Sequence, residues 1–345
     1  MPTLNQSWNI WNNIQTKMVA KLMSIYDMKF KPIIPLLFIA LTSCSAKVSG
    51  DRVFCFNCWT NIKLFDGNDT EFEDIKNILK YYDKISDNYS ARGTTNNLYQ
   101  LNKATEVIEV DSKLYDLLHV ASEPNISGLG GNYFDYRLGS LSKLWKDSLA
   151  EKKILDEEIV ENEIIKMQNS ALTFGEENKV LKVGQAEIDL GGIVKGYTLD
   201  VIKEYLTEKE RKSYIIDSGS SSILLGEKQT ESGYFNVTIN DLDNSYIKVK
   251  NGFVSTSGTS RQGVRIGDVT CSHIVNPVTG SVVNNYDAVI VLSDKGYIGD
   301  VLSTSMMMAT VDEIKDSEQK DNVKVIVIKD KNVIYKSEGI EILHY

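Results

Sequence analysis

At 345 residues, 42% of them hydrophobic and 25% charged, the chain has the make-up of a globular protein long enough to bury a substantial core. Its net charge of −9, with no basic block, opposes binding to a phosphate backbone, so no nucleic-acid partner is expected and phosphate handled by this chain calls for a metal cation. No GxSxG elbow, HExxH pair, Walker loop or zinc quartet is present, which excludes the common hydrolases and nucleotide-driven machines.

The first composition shift lies near the N-terminus. Met28-Lys29-Phe30-Lys31 is a short basic start, followed by an apolar run from Pro32 to Leu41 and by Thr42-Ser43-Cys44. Basic, apolar and small residues in that order describe an export signal, and the apolar run is too short to span a bilayer as a helix. Leu41-Thr42-Ser43-Cys44 resembles a bacterial lipobox, in which the cysteine is lipidated and becomes the mature N-terminus. The competing reading is a buried helix followed by a chance cysteine. The expected layout is an upstream extension or misassigned start over 1–27, a lipoprotein signal over 28–43, a tether over 44–52 and one catalytic domain over 53–345. A protein so anchored at Cys44 sits at the extracytoplasmic face of the cell membrane.

Alternating apolar and aromatic residues predict a strand from Val53 to Leu64, ended by the turn Asp66-Gly67-Asn68-Asp69. Cys55 and Cys58 within it form a CxxC without the second pair or nearby histidine that a zinc site needs. Phe72, Ile75, Ile78, Leu79 and Tyr82 follow a helical period over Thr70–Ile85, with Thr70 and Glu73 as a candidate capping box. Further helices are expected over Ser112–Ala121, Leu141–Lys146 and the charged stretch Glu151–Gln168, with a Gly-rich loop at Gly128–Gly131. The second half reads as short strands: 179–183, 186–190, 213–217, 234–239, 246–249, 252–255, 288–292 and 323–329. Helices at 195–206 and 299–309 interrupt them. The pattern is a single mixed α/β domain of the α+β class, with no dinucleotide-binding glycine fingerprint.

Three segments could carry chemistry. In Asp189-Leu190-Gly191-Gly192-Ile193-Val194-Lys195-Gly196-Tyr197-Thr198-Leu199-Asp200 a strand runs into two glycines and a helix start. Such a start offers N–H groups and a favourable dipole to an anion, with Lys195 near, or is only a tight turn. In Gly299-Asp300-Val301-Leu302-Ser303-Thr304 a carboxylate and a hydroxyl four residues apart share a helical face. They suit Mg²⁺, or serve as a helix cap and a buried hydroxyl. His273, in Ser272-His273-Ile274-Val275-Asn276-Pro277-Val278-Thr279-Gly280, is the one of three histidines flanked by turn residues typical of a site. Ser255-Thr256-Ser257-Gly258-Thr259-Ser260 is a hydroxyl-rich loop for phosphate, or a turn.

Taken in order, these segments resemble the ApbE family, the FAD:protein FMN transferases, a fold of the T-fold-like type. Gly191 to Tyr197 with Asp200 match its Gly-Gly-Ile-Ala-Lys-Gly-Tyr element, Val194 replacing Ala. Thr256-Ser257-Gly258 match its Thr-Ser-Gly. His273 to Gly280 match its His-Ile-Ile-Asp-Pro-x-Thr-Gly, with Asn276 and Val278 replacing Asp and Arg. Gly299 to Thr304 match its Ala-Asp-Ala-Leu-Ala-Thr. Ser90, Asn96 and Leu101-Asn102 resemble its adenine-side loop, and Phe134-Asp135 with Leu141 and Trp145 its Phe-Asp…Leu…Trp.

The resemblance implies FAD as substrate, with Mg²⁺ held by Asp300, Thr304 and the Val194 carbonyl. It implies Lys195 against phosphate and Asp200 positioning the cofactor, with Ser90, Asn102, Asp135, Gly191, Gly192, Ser257 and Gly258 contacting it. His273 stands at the reacting centre, the catalytic group being His273, Asp300 and Lys195. The partner is an exported or membrane acceptor protein whose Thr or Ser hydroxyl attacks the FMN-side phosphorus as AMP leaves. Three departures stand out: Arg137 and Cys58 where the family has threonine, and Ser220 where it has a glycine whose backbone shapes a serine resists. A Mg-dependent FAD pyrophosphatase and a non-catalytic flavin-binding lipoprotein are the alternatives.

Overall fold

The computed structural model describes residues 49–93, 96–122, 132–259, 264–266 and 269–345. The expected leader, Cys44 expected to be lipidated, and the Gly128–Gly131 loop lie outside the described residues. Residues Ala46–Tyr345 form one compact unit.

The expected first strand folds back on itself. Strands β1 (Ser49–Cys55) and β2 (Cys58–Leu64) pair with Cys55 opposite Cys58. Phe56 and Asn57 take φ values of 49° and 58°, the left-handed pair of a two-residue type I′ turn. The Phe56 N–H donates to Asp83 Oδ1 at 2.6 Å, which steadies the turn without a glycine. Strand β1 begins at Ser49, within the residues 44–52 expected as a tether. Helix α1 (Asp69–Ile85) is capped two residues before the expected box: Asn68, not Thr70, is the cap, paired with Glu71.

The chain continues through α2 (Leu98–Lys103), β3 (Ile108–Glu109), α3 (Ser112–Ser122), α4 (Gly139–Ala150), α5 (Glu157–Gln168), β4 (Ala171–Phe174) and β5 (Lys179–Val183). Then come α6 (Val194–Glu208), β6 (Tyr214–Ser218), β7 (Ser222–Leu225), β8 (Phe235–Ile239), β9 (Ser245–Val249), β10 (Gly252–Gly258), β11 (Val264–Ile266) and β12 (Val269–Cys271). Last are β13 (Ala288–Ser293), α7 (Gly296–Met306), α8 (Val311–Asp321), β14 (Lys324–Lys329), β15 (Asn332–Lys336) and β16 (Ile342–His344). Eight strands form one antiparallel sheet in the order β1-β2-β6-β7-β10-β13-β14-β15. Among the described residues, smaller sheets join β16-β9-β8, β3-β5-β4 and β11-β12.

Both faces of the large sheet are covered, so its central strands read as nearly continuous apolar runs. Val289, Val291, Val325 and Val327 face α7 and α8, whereas Ala288, Ile290, Ile326 and Ile328 face the small β8-β9-β16 sheet. Strand β10 applies the same alternation to polar side chains. Phe253 packs among Leu199 and Leu206 of α6, Val254 packs with the small sheet, and Ser255 and Ser257 point to the helical side.

Two expectations shift for stated reasons. Residues 186–190 make no strand ladder; the Asn102 amide grips this extended segment instead, accepting from the Ile188 N–H at 2.7 Å and donating to its carbonyl at 2.9 Å. Helix α7 begins at Gly296, one turn before the expected Gly299, so Asp300 lies in its second turn and is not a cap.

Candidate active site

The site is built where α6 crosses α7. A Cβ on Gly196 would lie 2.2 Å from the Gly296 carbonyl oxygen, and one on Gly296 would lie 2.3 Å from that of Gly196. Only glycine at both positions lets the two backbones meet. Two aspartates clasp the crossing from opposite sides. Asp200 of α6 accepts the Gly296 and Tyr297 N–H groups at 2.9 Å each, capping α7, whose N-cap Lys295 supplies no side-chain cap. Asp300 of α7 accepts the Gly196 N–H on Oδ2 at 2.7 Å, and the Ser222 and Ser255 hydroxyls on Oδ1 at 2.7 Å each.

That last bond to Gly196 matters for the backbone. Gly196 is the third residue of α6, so its N–H is one of those a helix leaves without an intrahelical partner, and Asp300 supplies one. The Val194 carbonyl, expected as a metal ligand, accepts the Thr198 hydroxyl at 2.7 Å within the first turn of α6.

The electrostatics follow from burial. Asp300 is 6% exposed, and loss of water pushes its pKa up, opposed by Lys195 and by its three hydrogen-bond donors. Lys195 Nζ donates to Ser221 Oγ at 2.7 Å and makes no direct ion pair with Asp300. Burial pushes Asp200 up to about 6, against the pull of its two N–H donors. Asp189 is raised by desolvation, opposed by the Gly191 N–H at 2.6 Å. The His273 imidazole is held below its ordinary value by desolvation first and by Lys195 second. His273 keeps an exposed surface, so that desolvation reflects the density of protein around the cleft and not enclosure of the ring. Thr304 Oγ1 lies 3.0 Å from Ser257 Oγ, which also meets Ser303 Oγ at 3.0 Å.

Lys195, Asp300, Thr304, Ser257 and the Gly191-Gly192 turn are therefore brought together, with His273 within electrostatic reach. Other expected contacts are otherwise engaged. Asn102 spends its amide on Ile188, and Asp200 spends both oxygens on α7. Ser90 Oγ donates to Asp87 on an exposed loop. Asp135 is forked by Arg137 at 2.9 and 2.7 Å, and Arg137 also donates to the Ser170 carbonyl, so the residue replacing threonine neutralises its neighbour. Gly258 is required by packing, since a Cβ there would lie 2.8 Å from the Asp287 carbonyl. Ser220 does not resist its turn: with φ of 57° it follows Gly219 at 63°, and its N–H is held by Asp217 Oδ1 at 2.6 Å. The hydroxyl-rich segment expected as a loop is strand β10 as far as Gly258.

Sequence reasoning missed Ser222 and the inward role of Ser255. The available signal was strand alternation, which puts Ser255 on the same face as Ser257. Among the described residues no group of three His, Cys, Asp or Glu side chains could hold a metal, so a cation here must rely on hydroxyl and main-chain oxygens as well.

A mixed α/β architecture with a buried carboxylate, a lysine and a glycine turn in one cleft defines a protein equipped to handle an anionic, phosphate-bearing ligand. The sequence profile of the ApbE family matches residues 56–327, and the chain belongs to that family. An FAD:protein FMN transferase of Klebsiella pneumoniae is 22% identical over 292 residues, covering 80% of this chain and 88% of that protein. One of Treponema pallidum is 26% identical over 220 residues, covering 57% of this chain and 60% of that one. The crystal structure of the ApbE protein of Thermotoga maritima superposes with a TM-score of 0.70 at 24% identity, covering 85% of this chain and 97% of that one. The flavin transferase ApbE of Vibrio cholerae does so at 0.68 and 21%, covering 85% and 98%.

Proposed function

We propose that this chain is a Mg²⁺-dependent FAD:protein FMN transferase, lipid-anchored through Cys44 at the extracytoplasmic membrane face. Family membership and the naming of its relatives support the transferase reading. The observation that carries it in this chain is the α6–α7 crossing, which sets the buried Asp300 beside Lys195 and the glycine turn.

The residues present fit the metal. Asp300 offers a buried carboxylate met directly only by neutral donors, and a divalent cation would offset its lost hydration. Thr304 would add a hydroxyl, and the Val194 carbonyl, at the start of α6, a main-chain oxygen. This all-oxygen set suits Mg²⁺ and not a thiolate-seeking metal. Bound there, Mg²⁺ supplies charge neutralisation for the diphosphate of FAD.

The chain's own groups do the rest. Lys195 holds a phosphate oxygen, releasing Ser221, and the Gly191-Gly192 turn lets the backbone approach. His273, kept neutral by its lowered pKa, accepts the proton of the acceptor's Thr or Ser hydroxyl. That oxygen bonds to the FMN-side phosphorus while the bond to the AMP phosphate breaks. With FAD, Mg²⁺ and an acceptor protein, the acceptor gains the mass of one FMN as AMP appears, and Asp300→Ala abolishes both. Free FMN and AMP beside an unmodified acceptor would overturn the transferase reading in favour of hydrolysis. Anchoring is tested by labelled fatty-acid incorporation in bacterial cells: wild type takes up label, Cys44→Ala does not, and equal labelling of the two rejects the anchor.

A further inference from the structure

The two oxygens of Asp300 are unequally loaded. Oδ1 accepts from both Ser222 and Ser255 at 2.7 Å, whereas Oδ2 accepts only from the Gly196 N–H at 2.7 Å. A carboxylate oxygen offers two lone-pair directions, so Oδ1 is filled and Oδ2 retains one. The two serines are direct cross-strand partners in the β7–β10 ladder, and they are 2% and 1% exposed. Helix α7 lies hard against them: a Cβ on Gly299 would be 2.7 Å from Ser255 Oγ. Ser255 Oγ therefore has little room on the helix side, and both hydroxyls are almost wholly shielded from solvent. The hydroxyl pair therefore fixes both the orientation of the Asp300 carboxylate and which of its oxygens remains open.

We propose that Ser222 and Ser255 are specificity-determining positioning residues: by filling Oδ1 they confine Asp300 to ligation through Oδ2 alone, and so select Mg²⁺ over Ca²⁺. The chemistry of the two ions makes this selective. Mg²⁺ binds carboxylates through one oxygen in a tight octahedron and keeps several waters, whereas Ca²⁺ takes six to eight oxygens and readily uses both oxygens of one carboxylate. An Asp300 that can present only Oδ2 satisfies the first ion and costs the second a ligand. This inference rests on the metal reading given above, and it adds the choice of ion to it.

The test titrates the full-length, detergent-solubilised protein with Mg²⁺ and with Ca²⁺ by calorimetry, with FAD absent and with FAD saturating. Ser222→Ala, Ser255→Ala and the double variant are compared with wild type and with Asp300→Ala. Wild type is expected to favour Mg²⁺, and the double variant to lose about tenfold of that preference, the scale on which groups orienting a metal ligand act. In turnover, the same variants raise the Mg²⁺ concentration for half-maximal rate more than they lower kcat, a split that general loosening would not produce. The single variants, each removing one hydroxyl, carry the test if the double variant fails to fold. A Mg²⁺-to-Ca²⁺ ratio unchanged in variants that still bind both ions through Asp300 overturns the inference and leaves the metal reading standing. Absence of Asp300-dependent binding of either ion in the wild type overturns both.

Discussion

His273 differs from the other candidate groups in being exposed, close to a lysine and titratable near neutrality. Its ordinary value of 6.5 is lowered, so in this cleft it loses its proton more readily than a free histidine. A base works only when neutral, so activity rises with pH through its pKa. The acid limb of kcat/KM should therefore fall below 6.5, and His273→Ala should remove that limb. The same substitution should slow transfer by about 10²–10⁴-fold, the usual contribution of a positioned proton acceptor. An acid limb that persists unchanged in His273→Ala would assign it to another group. At this scale the sequence was informative where chemistry is local. Asp300 and Thr304 share a helical face by spacing alone, and both join the cleft. The partners of Asp300 were not legible, because Ser222 and Ser255 lie 78 and 45 residues away and meet it only through the sheet.

Among the elements, α6 and α7 depend on each other more than on their own propensities. α6 begins at a glycine turn with no side-chain cap of its own, and α7 borrows its cap from Asp200. The predicted start of α6 was right because Gly191-Gly192 punctuates the chain before an apolar run. α7 was placed a turn late, at Gly299, because its first turn is held by Asp200 of another helix and carries no cap of its own; Gly296 and Gly299 there allow close approach to α6 and to Ser255. Gly196→Ala should push the helices apart and cost about 1–3 kcal/mol in urea unfolding, as overpacking does. Loss of activity should exceed the loss of stability, because Asp300 moves with α7. A variant of wild-type stability and rate would show that the crossing relaxes without harm.

For the molecule as a whole, the alternating and continuous apolar runs sufficed to predict a mixed α/β unit, and most expected strands in the second half lie within one or two residues of their observed limits. What escaped was order and connection. Antiparallel neighbours such as β2 and β6 are separated by about 150 residues of chain, and no short-range pattern encodes that pairing. The hairpin at Phe56-Asn57 escaped because its left-handed turn uses no glycine, and the 186–190 segment because an amide side chain does the work of a neighbouring strand.

The reciprocal clasp of Asp200 and Asp300 has one more consequence. The first turn of a helix is ordinarily where it frays, since its N–H groups lack partners inside the helix. Here the Gly196, Gly296 and Tyr297 amides are each gripped by a carboxylate from the other helix, so neither end can open unless the other lets go. Their amide hydrogens thus exchange with solvent through one shared event. The two termini are, for that reason, protected where helices are usually most labile.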